Sequence, residues 1–126
     1  MKKILITGGA GFIGSNFIRY ILNNYSDYKI INFDKLAYAG NLNNLKDVKE
    51  SSNYTFIKGD ICNTKQVELA VKDCDYIINF AAQTHVDRSI KSSEEFVKTN
   101  IEGVRVLLDA ARKHQIKRLS SSLLVI

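Results

Sequence analysis

The residues best suited to chemistry stand near the start of the chain, where the apolar run Ile4-Leu5-Ile6-Thr7 meets Gly8-Gly9-Ala10-Gly11-Phe12-Ile13-Gly14. A buried strand that passes into a helix through a turn almost free of side chains is a holder for a pyrophosphate. Gly8 permits the sharp turn, Gly11 lets a diphosphate approach the backbone, and Gly14 lets the helix lie close to its strand. The anion then meets the positive N-terminal end of that helix. The same glycine spacing occurs in ordinary strand-to-helix turns, so its meaning depends on a partner. Asp34 supplies one, because it ends a second apolar run, Lys29 to Phe33, twenty residues after Gly14. A carboxylate there is placed to accept the hydroxyls of an adenosine ribose and to repel a 2′-phosphate, which favours NAD over NADP. The alternative is an Asp that merely ends a strand.

A second cluster follows the run Asp75 to Phe80: Ala81-Ala82-Gln83-Thr84-His85-Val86-Asp87-Arg88-Ser89-Ile90. Two small residues allow a cofactor to approach, and dense polar chemistry comes after them. The alternative is a polar loop closed by Asp87 and Arg88. His85 has the chemistry of a general base, but no nucleophile or orienting third group accompanies it.

Strand patterns lie near 2–7, 29–34, 54–58, 75–80 and 117–126, and helical patterns near 13–24, 64–72 and 93–113. Their alternation predicts an α/β fold with a doubly wound parallel sheet of Rossmann type, incomplete, in strand order 3-2-1-4-5. The ligand crevice then falls outside the C-terminal ends of strands 1 and 4, where both clusters converge. Phe12, Ile13, Phe17, Ile18 and Ile21 are expected to form the packing face of the first helix, and Phe96, Val97, Val104, Leu107, Leu108 and Ala111 that of the last.

The 126 residues make one domain, 1–126, without repeat or linker. No apolar run approaches the ~18 residues that span a bilayer, and Met1-Lys2-Lys3 leads into a core strand rather than a signal peptide, so a cytoplasmic protein with no membrane partner is expected. The net charge of +5 comes from scattered Lys and Arg that read as a solvated surface, not a nucleic-acid footprint. Cys62, Cys74, His85 and His114 complete no ligand spacing, so no metal site is expected and the thiols should be reduced.

Several strings resemble the extended short-chain dehydrogenase/reductase family, in its branch acting on nucleotide sugars: Thr7 to Gly14, Asp34-Lys35-Leu36 followed by Tyr38-Ala39-Gly40-Asn41, Gly59-Asp60-Ile61, Ala81 to Ile90, and Thr99-Asn100 with Gly103. The resemblance runs from residue 1 to about Arg118. The His85-Val86-Asp87-Arg88-Ser89 string points to the members that dehydrate dTDP-glucose, and other nucleotide-sugar 4,6-dehydratases or epimerases are the nearest alternatives. The resemblance implies that Phe12 and Ile13 lie by the diphosphate of NAD, Asp34, Lys35, Leu36 and Ala37 around the adenosine ribose, and Asp60 with Ile61 at the adenine edge. It implies that Phe80, Ala81, Ala82, Gln83 and Thr84 pass beneath the cofactor, that Thr84 also faces the sugar substrate, and that Thr99 reaches the cofactor from its helix.

The implied reaction is that of a lyase: C4 of the glucose gives a hydride to NAD, water leaves across C5 and C6, and the hydride returns to C6. It needs a tyrosine base with a lysine one helical turn on, and an acidic pair. In the family these follow the fifth strand, but after Arg118 this chain reads Leu119-Ser120-Ser121-Ser122-Leu123-Leu124-Val125-Ile126. Two Tyr-x-x-x-Lys strings exist, Tyr54/Lys58 and Tyr25/Lys29, the first in a strand pattern and the second across a helix end. No catalytic residue is therefore assigned. The chain reads as the N-terminal portion of such an enzyme, lacking the catalytic segment, the substrate lobe and the helix through which the family dimerises, as an altered reading frame or a truncated gene model would produce. A non-catalytic dinucleotide-binding regulator is the alternative from another class. Alone, the chain is expected to be inactive and to leave an apolar strand edge and part of a sheet face bare.

Overall fold

Successive residues of the first strand point into two different cores, and so the strand is apolar on both faces. In β1 (Lys2–Thr7), Leu5 packs on one side of the sheet while Ile4 and Ile6 pack on the other. The computed structural model describes residues 1–36, 42–81 and 98–121, with the backbone alone for Lys98 and Thr99. β1 is joined by β2 (Tyr28–Asp34), β3 (Tyr54–Lys58), β4 (Tyr76–Asn79) and β5 (Arg118–Ser121) in the order β3-β2-β1-β4-β5. Every pair is parallel, with Thr7 registered between Phe33 and Asn79. The doubly wound order read from the sequence is the order observed.

Among the described residues three α-helices cover the sheet. α2 (Thr64–Val71) and α3 (Gly103–Lys113) bury Val67, Val71, Val106, Leu107 and Ala110 against Leu5, Phe33 and Ile77. α1 (Phe12–Asn24) lies on the opposite face and buries Ile18 and Ile21 against Ile4, Ile6 and Ile30. Leu45, at the end of a 3₁₀ turn, Leu42–Leu45, which the periodicity did not signal, and Val48 after it extend that layer.

Both helical faces differ from expectation. Phe12 and Ile13 are 77% and 61% exposed, and the buried stripe of α1 is Gly14, Ser15, Ile18 and Ile21. Gly14 abuts the preceding turn, and at 3.6 residues per turn the face it starts continues to 18 and 21 and leaves 12 and 13 outside. The late helix was expected to run unbroken from 93. Instead a π-helical turn, Lys98–Glu102, precedes α3, and 93–97, with Phe96 and Val97, lie outside the described residues. Within α3 the buried stripe is Gly103, Val106, Leu107 and Ala110, one residue earlier than the expected 104, 108 and 111. Leu108 is exposed, and Val106 and Ala110 are buried. β5 is described over four residues, and its edge presents Arg118, Ser120 and Ser121 rather than an apolar row. A groove of about 280 Å³ lies on the α1 side of the sheet among Tyr20, Tyr25, Tyr28, Tyr76 and Ile78, toward the starts of the strands. No described helix is long and apolar enough to cross a membrane.

Cys74, between α2 and β4, is buried in the core, and its Sγ–H donates to the Ala70 carbonyl at 3.4 Å. Burial pushes the thiol up to about 11 from the ordinary 9.0. The unfolded chain therefore ionises first, so the stabilisation is complete below pH 9 and is lost as pH rises from 9 to 11, on the order of 2–3 kcal/mol in all. Urea titrations at pH 8 and pH 11 should show a smaller loss of stability in Cys74→Ala than in the parent protein. Equal losses would mean that the thiol has no part in it.

Candidate functional site

Parallel strands bring the C-terminal ends of β1, β2 and β4 to one edge, so Thr7, Asp34 and Asn79 meet there although they are far apart in sequence. The turn leaving β1 is held by its own backbone: Gly8 N–H donates to Phe33 O at 3.0 Å, Gly11 N–H to Gly8 O at 3.2 Å and Ser15 N–H to Gly11 O at 2.9 Å. Gly8 has φ 70, and a Cβ there would lie 2.6 Å from the Ala81 nitrogen. Gly14 is held by proximity, since its Cβ would lie 2.5 Å from Gly8 O and 2.8 Å from the Gly9 Cα. Gly9, which the spacing argument passed over, is locked too, against Asn32 Oδ1 and Ile18 Cδ1.

Gly11 is different. Among the described residues a Cβ there meets nothing nearer than Gly8 O at 3.5 Å, so their packing does not require a glycine. Gly11 caps α1 without a side chain, and no acidic residue occupies the first turn. The amides of Phe12, Ile13 and Gly14 have no carbonyl one turn earlier within the helix. Among the described residues nothing compensates this positive helix end, which lies beside two exposed apolar side chains.

Asp34 is 8% exposed and already engaged: Oδ2 accepts from Ala10 N–H at 2.8 Å and Oδ1 from Leu36 N–H at 2.6 Å. The first bond ties the glycine turn to the end of β2. The second holds Leu36 at φ 61, a left-handed conformation that costs about 1 kcal/mol or more in a residue with a side chain. A carboxylate has about four lone pairs, so both oxygens retain acceptor capacity. Lys35 is exposed with Nζ 3.5 Å from Asp60 Oδ2, which draws the two segments expected around adenosine together. Asp60 Oδ1 accepts from Cys62 N–H at 2.9 Å, and Gly59 N–H donates to Asp34 O at 3.1 Å. The Ile61 side chain packs in the core against Gly103, so a contact with adenine would fall to its backbone.

On the other flank, Asn79 Oδ1 accepts from the Thr7 hydroxyl and from Ala81 N–H at 3.1 Å, while its amide donates to Ser121 Oγ at 3.1 Å. Phe80 is half-buried, its ring 5.6 Å from that of Phe17. Ala37, Ala82, Gln83 and Thr84, with His85 and Asp87, lie outside the described residues, and of Thr99 only the backbone in the π-helical turn is described. Neither Tyr-x-x-x-Lys string lies on a helix. Tyr54 and Lys58 bound β3, and burial pushes the Tyr54 phenol up, the wrong direction for a base; Tyr25 caps α1 while Lys29 lies in β2. Among the described residues no group of three or more His, Cys, Asp or Glu could hold a metal.

Residues 5–124 match the family model described as GDP-mannose 4,6 dehydratase. The chain is 48% identical over 120 residues to a dTDP-glucose 4,6-dehydratase of Streptomyces niveus, covering 92% of this chain and 36% of that protein. It is 50% identical over 115 residues to the low-salt glycan biosynthesis protein Agl12 of Haloferax volcanii, covering 91% and 37%. A crystal structure of dTDP-glucose 4,6-dehydratase from Bacillus anthracis in complex with NAD superposes with a TM-score of 0.85 at 44% identity, covering 96% of this chain and 37% of that one. The chain thus spans about a third of the length of the relatives it matches.

Proposed function

The chain belongs to the GDP-mannose 4,6 dehydratase family, and on that premise we propose that it is the NAD-binding N-terminal portion of a dTDP-glucose 4,6-dehydratase. The whole enzyme would be a cytoplasmic lyase of nucleotide-sugar metabolism, acting as a homodimer and converting dTDP-glucose to dTDP-4-keto-6-deoxyglucose and water. The observation that carries the cofactor reading is that no described residue crowds a Cβ at Gly11, in a turn whose other glycines are fixed by close packing.

The donor set fits a dinucleotide. Amides of Phe12, Ile13 and Gly14 would hold the diphosphate, with the Phe12 and Ile13 side chains covering it. Asp34 would accept the adenosine ribose hydroxyls through its remaining lone pairs, with Lys35, Leu36 and Ala37 beside it and Asp60 and Ile61 toward the adenine. Phe80 to Thr84 would line the path to the reacting end, where Thr84 also faces substrate, and Thr99 would reach in from the π-helical turn. Bound NAD supplies an acceptor, and afterwards a donor, of one hydride. Residues 1–126 would bind and orient it; a base at O4 would come from elsewhere in the enzyme, since both Tyr-x-x-x-Lys strings are unsuitable.

Calorimetric titration tests the reading directly. NAD should bind the chain and NADP should bind at least about tenfold more weakly, because a second anion would face the Asp34 carboxylate. Incubation with NAD and dTDP-glucose should yield no 4-keto-6-deoxy sugar. Absence of NAD binding by the folded chain would defeat the cofactor reading, and turnover would show catalytic groups within residues 1–126.

A further inference from the structure

The 3₁₀ turn Leu42–Leu45 reaches back to the glycine turn. Asn44 Nδ2 donates to the carbonyl oxygen of Ala10 at 2.9 Å, across 34 residues of sequence. Ala10 is fully buried, and its own N–H is held by Asp34 Oδ2. The peptide joining Ala10 to Gly11 is thus fixed on both edges, because the Gly11 N–H donates to Gly8 O. That peptide sets the direction in which α1 starts.

Asn44 is itself held. Arg19, on the second turn of α1, donates through Nη2 to the Asn44 carbonyl, through Nε to Asp47 Oδ2 at 2.7 Å, and through Nη2 to Asp47 Oδ1 at 3.2 Å. Its Nη1 donates to Asn16 Oδ1 at 2.9 Å. Leu45 and Val48 bury beneath this network, so the segment is anchored by packing as well as by charge. A surface ion pair alone contributes little. Here the paired, planar guanidinium fixes a backbone carbonyl and a carboxylate at once, and thereby aims the Asn44 amide.

We propose that Asn44 is a positioning residue for the diphosphate-binding turn, held in place by Arg19 and Asp47, so that the segment after β2 braces the turn after β1. The proposal rests on the dinucleotide reading. Asn44 touches no phosphate in this arrangement; it acts through the Ala10–Gly11 peptide.

The test combines two ligands with a ligand-free measurement. Asn44→Ala, and Asn44→Asp, which keeps the shape but cannot donate, should bind NAD roughly three- to tenfold more weakly. Both should bind adenosine, which has no diphosphate, as the parent does. Without ligand, the Gly11 amide should exchange its hydrogen faster in both variants while the Ile6 amide in β1 is unchanged; a general loss of stability would speed both. NAD affinity equal to the parent's, or equal losses for NAD and adenosine, would overturn the brace and leave the cofactor reading standing. A folded parent that binds no NAD would instead remove the cofactor reading, and the proposed role of Asn44 with it.

Discussion

Gly11→Val should abolish NAD binding, by at least about a hundredfold, in a protein that remains folded. The backbone at Gly11 is extended, at φ −76 and ψ 177, where any residue is at ease, and among the described residues its Cβ would meet only Gly8 O, at ordinary contact distance. The cost to stability is then that of a poorer helix cap, about 1 kcal/mol. The added isopropyl group would project into the space proposed for the diphosphate, and removing that clash would displace either the ligand or the helix end. Gly14→Ala is the necessary contrast. Its methyl group would lie 2.5 Å from Gly8 O and 2.8 Å from the Gly9 Cα, backbone atoms that cannot swing aside. Overpacking of that kind should cost about 3 kcal/mol and lower the melting temperature markedly. Circular dichroism melts and calorimetry on the two variants separate the glycine that serves the fold from the one that serves a ligand. Normal NAD binding by folded Gly11→Val would reduce the turn to a strand-to-helix connection.

The strand order was legible because it depends on period and alternation: five apolar runs with helical patterns in three of the four gaps between them leave few parallel arrangements. Which face of α1 is buried was not, because apolar residues at 12 and 13 satisfy a helical stripe as well as 18 and 21 do. The rotation of the helix is fixed by tertiary contacts, Gly14 against Gly8 and Ile18 against Gly9 and the sheet. The same type of miss recurs in the last helix, where apolar residues at 104, 107, 108 and 111 satisfy a stripe as well as the buried 103, 106, 107 and 110 do. At the site, Gly8, Gly14 and Asp34 could be found from type and spacing. The Gly8-Gly9 doublet was a signal for the packing against Asn32 that went unused. The Asn44–Ala10 bond had no local signal at all, since its partners are 34 residues apart and Asn is common in turns. Tertiary polar contacts have no sequence period, which is why Arg19, Asp47 and Asn79 stayed invisible while the sheet did not.

Asp34→Ala should weaken NAD binding by at least about a hundredfold and also destabilise the protein, and the two effects have different origins. The carboxylate accepts two backbone amides, those of Ala10 and Leu36, in a nearly buried setting. Hydrogen bonds to a charged acceptor contribute ~1.5–3 kcal/mol each, and the Ala10 N–H would be left buried without a partner, so a loss of about 3 kcal/mol in stability is expected. Leu36 at φ 61 would lose the bond that holds it there. Asp34→Asn retains one acceptor oxygen and must present its NH₂ to one of the two amides, so it should fall between parent and Ala in both respects. Affinity for NAD alone cannot tell a tether from a ribose ligand, because loosening the glycine turn weakens every dinucleotide alike. The ratio of NADP to NAD affinity can. If Asp34 only ties the turn to β2, both affinities fall together and the ratio stays fixed. If its free lone pairs also face the 2′-hydroxyl, removing the charge relieves the repulsion of a 2′-phosphate as it weakens NAD, and the ratio should move toward NADP by about tenfold or more. An unchanged ratio in folded Asp34→Asn would leave Asp34 as the tether of the turn and remove it from the ribose site.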